Sequence, residues 1–108
     1  MQFEVLLTAD AVRDLEEIIE WIAEHDAPAK ADGVLVRLET AIAGLAKFPA
    51  RGAHPRELLA LGIRDYRETS FKPYRIVYRI HGRRVYVYLI TDGRRDMQSL
   101  LARRLLGG

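Results

Sequence analysis

The chain has 108 residues and no cysteine, with 49% apolar and 30% charged side chains. That length suits one domain over residues 1–108, with a core that removes roughly two-thirds of the unfolded chain's surface from water. A disulfide framework, thiolate metal sites and a thiol nucleophile are excluded, and no apolar run approaches the roughly 20 residues of a membrane span. Met1-Gln2-Phe3-Glu4 lacks the basic-then-apolar pattern of a leader, so a cytoplasmic protein without membrane attachment is expected.

The net charge of +2 conceals a division at Phe48-Pro49. The first part holds four basic and ten acidic side chains, net −6, and the second thirteen and five, net +8. Lys72 is the only lysine of the basic part. Guanidinium forks bind phosphate or carboxylate bidentately, so segregated arginine points to an acidic partner, either nucleic acid or an acidic protein segment.

Phe3, Val5 and Leu7 alternate, which predicts a strand over residues 2–7. Thr8 can cap the helix that follows, over 9–25, whose apolar stripe is Val12, Leu15, Ile19 and Ile22, widened by Ile18. Trp21 borders the stripe and is read first as a core side chain, second as an apolar contact for a partner. Pro28 suits the first turn of a second helix, predicted to reach Phe48 with Ala31, Val34, Leu38, Ile42 and Leu45 as its stripe. The short connection implies an antiparallel hairpin.

Residues 49–62 read as a loop with one helical turn. Strands are predicted over 63–69, 74–80 and 84–90, the last two joined by a tight turn at Gly82. In the final strand Val85, Val87 and Leu89 alternate with Tyr86, Tyr88 and Ile90. Asp92 can cap a last helix over 94–106 that carries Met97, Leu100, Leu101 and Leu105. The order β-α-α-β-β-β-α predicts an α+β fold, with helices on one face of a mainly antiparallel four-stranded sheet.

His25, His54 and His81 fall in different elements, show no metal spacing and read as exposed or turn residues; neither metal nor cofactor is expected. Arg67, Arg75 and Arg79 interleave with Tyr66, Tyr74 and Tyr78. This is the chemistry of a nucleic-acid surface and equally of a groove for an acidic peptide. In a structural reading of the same residues, the tyrosines pack and the arginines pair with Asp65, Glu68 or helix carboxylates. Arg94 and Arg95 project where the last strand meets the last helix.

Leu7-Thr8-Ala9-Asp10-Ala11, Asp14-Leu15-Glu16-Glu17-Ile18 through Trp21-Ile22, Phe48-Pro49, Arg67-Glu68, Pro73-Tyr74-Arg75-Ile76 and Asp92-Gly93-Arg94-Arg95-Asp96-Met97 together resemble the RelE/ParE superfamily of type II toxins. The resemblance covers nearly the whole chain. It implies a toxin held inactive in a hetero-oligomer by a cognate antitoxin, whose acidic, partly apolar C-terminal segment wraps it. RelE-like members cut mRNA on the ribosome; here Arg67, Arg75, Arg79 and His81 would be the catalytic candidates. ParE-like members act on DNA gyrase, with Arg94, Arg95, Met97, Arg103 and Arg104 as the expected target contacts. The ParE-like branch is favoured because the last tyrosine is Tyr88 and the last histidine His81, so the acid-base residues near a ribonuclease C-terminus are missing. Arginine is a poor base at neutral pH. Antitoxin contacts are expected at Trp21, Arg67, Tyr74, Arg75 and Arg79.

Overall fold

The computed structural model describes residues 2–107. Strand β1 (Glu4–Leu7) leads into α1 (Ala9–His25) and α2 (Pro28–Gly44). A 3-10 turn (Pro49–Arg51) and the short α3 (Arg56–Leu59) precede β2 (Arg67–Phe71), β3 (Tyr74–His81), β4 (Arg84–Asp92) and α4 (Met97–Leu106). The Thr8 side chain accepts from Ala11 N at 3.1 Å and starts α1, and Pro28 opens α2 without losing a helical hydrogen bond.

The sheet order is β1-β4-β3-β2. β1 runs parallel to β4, from Glu4 beside Arg84 to Leu7 beside Val87, and the other pairings are antiparallel. Tyr78 faces Val87 while Val77 faces Leu89, so Tyr88 is an extra residue, a bulge. The bulge corrects the expected alternation. Val85 and Val87 face the helical hairpin with Ile76 and Tyr78, but beyond Tyr88 it is Ile90 that joins them, and Leu89 turns to the opposite face.

Two cores result. Ala11, Leu38, Ile42 and Leu45 of the hairpin pack on Ile76, Tyr78, Val85, Val87 and Ile90. Met97, Leu100 and Leu101 of α4 pack with Leu58 and Tyr66 on Val77 and Leu89. Helices therefore cover both faces rather than one, because each face of β3 and β4 presents apolar side chains that need a partner layer.

The stripe of α1 is Ala11, Leu15, Ile18 and Ile22, whereas Val12 lies on the exposed rim. α2 ends at Gly44 and continues to Lys47 as turns, where the Ala46 carbonyl accepts from Phe3 N at 2.8 Å. β2 begins at Arg67 rather than Ile63. Ile63 N donates to the Leu58 carbonyl after Gly62, whose φ of 77° closes α3, so the apolar residues at 63 and 66 pack from a loop. α4 starts at Met97, and its cap is Asp96 rather than Asp92: the Asp96 carboxylate accepts from Ser99 N at 3.2 Å.

Candidate partner-binding groove

Trp21 divides an open groove between the helical hairpin and the ends of β3 and β4. On one side a cavity of about 460 Å³ is floored by Ile18, Ile22 and Ile90 and rimmed by Asp14, Glu17 and Arg95. On the other, a cavity of about 510 Å³ is floored by Val34 and Phe71 and rimmed by Lys30, Arg37 and Lys72. Trp21, Ile22, Tyr74 and Arg94 line both. Trp21 is 61% exposed, which corrects its expected place in the core. Ile22 takes the inward position, and the residue before it points about 100° away around the helix. The indole stacks on His25, centroids 4.5 Å apart, and His25 Nδ1 lies 3.0 Å from the Trp21 carbonyl.

Tyr74 is half-buried, and burial with the nearby Asp92 carboxylate pushes its hydroxyl pKa up. Arg94 is pinned within its own turn. Its backbone N and Nε donate to Asp92 Oδ1 at 2.9 and 3.0 Å, and Nη2 donates to Oδ2 at 2.6 Å. Hydrogen bonding from Arg94 holds the Asp92 carboxyl below its ordinary range. The Arg94 side chain nevertheless stays 78% exposed, so its guanidinium is oriented and accessible. Gly93 permits this turn, because a Cβ there would lie 2.7 Å from Arg75 Cδ.

The sheet arginines are not such a free set. Arg75 donates through Nη1 and Nη2 to the Glu57 carboxylate at 2.9 and 2.8 Å, and through Nε to Glu68 Oε1 at 2.7 Å. Those bonds raise the Arg75 pKa and lower that of Glu57. Arg67 pairs across the sheet with Tyr78, which puts it on the face opposite Arg75 and Arg79; it donates to the carbonyls of Ala50 and Gly52 at 3.1 and 2.9 Å. Arg79 lies 3.4 Å from Asp65 and over the Tyr66 ring. The buried Tyr78 hydroxyl donates to the Pro49 carbonyl at 2.5 Å. His81 is exposed at the hairpin turn, edge-on to Tyr86, His25 is exposed beside Trp21, and half-buried His54 lies against the Tyr66 carbonyl.

At the C-terminal end Arg94, Arg95 and Arg103 are exposed, but Met97 is buried in the second core and Arg104 is bound to Asp14. Glu57 and Asp14 are not marked as partners in the sequence, because they lie far along the chain from the arginines they hold. Lys30 and Arg37 were missed as well, because the acidic part of the chain masked its cations. Among the described residues no cluster of His, Asp or Glu suits a metal ion, and no helix is long and apolar enough to cross a membrane.

The family model described as "ParE toxin of type II toxin-antitoxin system, parDE" matches residues 5–97. The chain belongs to the ParE toxin family. It is 29% identical over 100 residues to Toxin ParE3 of Caulobacter vibrioides, covering 93% of this chain and 96% of that protein. Among solved structures, the chromosomal ParDE system of P. aeruginosa aligns with TM-score 0.70 at 17% identity, over 84% of this chain and 96% of that one. The toxin-antitoxin complex RelBE2 of Mycobacterium tuberculosis aligns with TM-score 0.58 at 23% identity, over 85% and 99%. At such identities the likeness is one of fold. The ParE match reaches Met97, and so spans the groove and the Asp92–Asp96 turn.

Proposed function

We propose that this ParE toxin binds DNA gyrase and stabilises its cleaved-DNA state, and that a cognate antitoxin neutralises it. The commitment of Arg75 carries this reading over a ribonuclease one. A nuclease needs cations free to meet phosphate and a general base and acid within reach of the reacting oxygens. Arg75 is neutralised by Glu57 and Glu68, and Arg67 is tied to backbone carbonyls. Among the cations left outward are those after the sheet, Arg94, Arg95 and Arg103, and these are the proposed target contacts.

The groove suits the antitoxin. An apolar side chain of its segment would lie against Trp21, Ile22 and Tyr74, and its carboxylates against Lys72, Arg37 and Arg94. Arg79 remains a proposed antitoxin contact, while Arg67 and Arg75 hold the fold. Such complementarity accelerates association at low ionic strength.

Supercoiling by purified gyrase tests the proposal. Inhibition with a trapped cleavage complex is expected at micromolar toxin, and prior mixing with its cognate antitoxin should abolish the effect. Unimpeded supercoiling together with cleaved message on programmed ribosomes would reverse the assignment.

A further inference from the structure

Strand β1 ends at Leu7, beside Val87, and past that point, among the described residues, β4 has no strand on its outer side. Two β4 backbone groups there are met by side chains from opposite ends of the chain. Ile90 N donates to Asp14 Oδ2 at 3.0 Å, and the Tyr88 carbonyl at the bulge accepts from Arg104 Nη1 at 3.0 Å. The two side chains also bind each other, Arg104 Nη1 to Asp14 Oδ2 at 2.8 Å and Nη2 to Oδ1 at 2.9 Å. Their side chains are only 13% and 21% exposed. One carboxylate and one guanidinium thus join α1, the β4 bulge and α4.

α4 needs this tie. Ten residues are too few for a stable isolated helix, and its remaining anchorage is the apolar stripe of Met97, Leu100, Leu101 and Leu105. The position of α4 in turn fixes Arg103, which it carries, and the end of the turn in which Asp92 already holds Arg94.

We infer that Asp14 and Arg104 are positioning residues for target contact. They hold α4 in register on the bulge, and the exposed arginines do the touching. This rests on the gyrase reading for what is touched, but not for the clamp. Arg104, expected from sequence as a contact, acts instead through the helix it anchors. A guanidinium is required, because a lysine ammonium cannot chelate the carboxylate and meet the Tyr88 carbonyl in the same plane.

The test compares Arg104→Met, Arg104→Lys and Asp14→Asn in the full chain. Asp14→Asn keeps an acceptor for Ile90 N and removes the charge and one of the two oxygens that accept from Arg104. In Arg104→Met, amides of residues 97–106 should exchange about tenfold faster or more, while those of β3 and β4 stay within about twofold. At a temperature where near-ultraviolet dichroism shows a folded core, the concentration needed to inhibit gyrase should rise about tenfold, and Arg104→Lys should recover part of the loss. Combining Asp14→Asn with Arg104→Met should be no worse than Arg104→Met alone, because that variant already removes the pair that Asp14→Asn weakens. Unchanged exchange in α4 overturns the inference, as does equal loss of protection throughout the sheet, which would assign the pair to global stability. A loosened α4 with undiminished inhibition overturns its functional half. If the unmodified toxin leaves gyrase untouched, the gyrase reading fails and the exchange measurement alone decides the clamp.

Discussion

Arg75 and Arg94 carry the same charge and line the same cavity of about 610 Å³, yet they occupy opposite regimes. The Arg75 side chain is 14% exposed and shared by two carboxylates from distant segments, whereas Arg94 is 78% exposed and held by one carboxylate two residues away. Out of water, a guanidinium needs full compensation, and its loss strands the carboxylates around it. At the surface, water and salt screen the pair and its contribution to stability is small. An arginine count therefore overstates the cationic surface available to a partner, and burial decides which residues are offered.

The largest contrast should come from Arg75→Ala. It leaves Glu57 and Glu68 facing each other, partly buried and without their cation, and should lower stability by about 3 kcal/mol. A urea titration measures this directly; a loss below about 0.5 kcal/mol would place Arg75 with the surface pairs. Gly93→Ala comes next, at about 1–2 kcal/mol. Its new methyl would press on Arg75 carbons that cannot retreat without breaking the bonds to Glu57 and Glu68. In the Arg75→Ala background the same substitution should cost little.

Acid should discriminate further. The folded pKa of Glu57 is depressed, chiefly by its hydrogen bonds from Arg75, so the stability it contributes is present above the unfolded value of 4.5 and is lost as pH falls through the lower folded value. Melting curves collected downward from pH 4.5 should steepen their decline in the parent protein, and Arg75→Ala should show a shallower dependence. The smallest stability effect belongs to Arg94→Ala, within about 0.5 kcal/mol. Its effect should appear in gyrase inhibition instead; retention of full inhibition by an Arg94→Ala, Arg95→Ala double variant would move the target contact elsewhere.

Much of the fold was legible because β3, α2 and the last helix keep strict periods, which the core imposes through one buried face. Capping was partly legible: Thr8 acts as read, but Asp92 and Asp96 are equally good cap residues in sequence, and only the turn between them assigns one to Arg94 and the other to the helix. The bulge was not legible, since Val85 to Ile90 are all good strand residues and nothing in their order marks Tyr88 as the extra one. Its displacement of Leu89 creates the second apolar face, and with it the seat for α4. In the site, Arg75 and Arg79 were legible by residue type, and so were their partners Glu68 and Asp65 as the structural alternative, while Glu57 is brought close only by the fold. Trp21 was misplaced because ring size argues for burial, whereas its helical angle decides for the groove.

The parallel pairing of β1 with β4 carries a consequence for synthesis. Glu4 meets Arg84, so the first strand has no sheet neighbour until residues 84–87 have emerged from the ribosome. Contacts of such long sequence separation form late and slow folding, because the intervening loop must close before they stabilise anything. A nascent chain shorter than β4 leaves its β1 edge and hairpin stripe open. The sheet is thus completed only once β4 is available to β1.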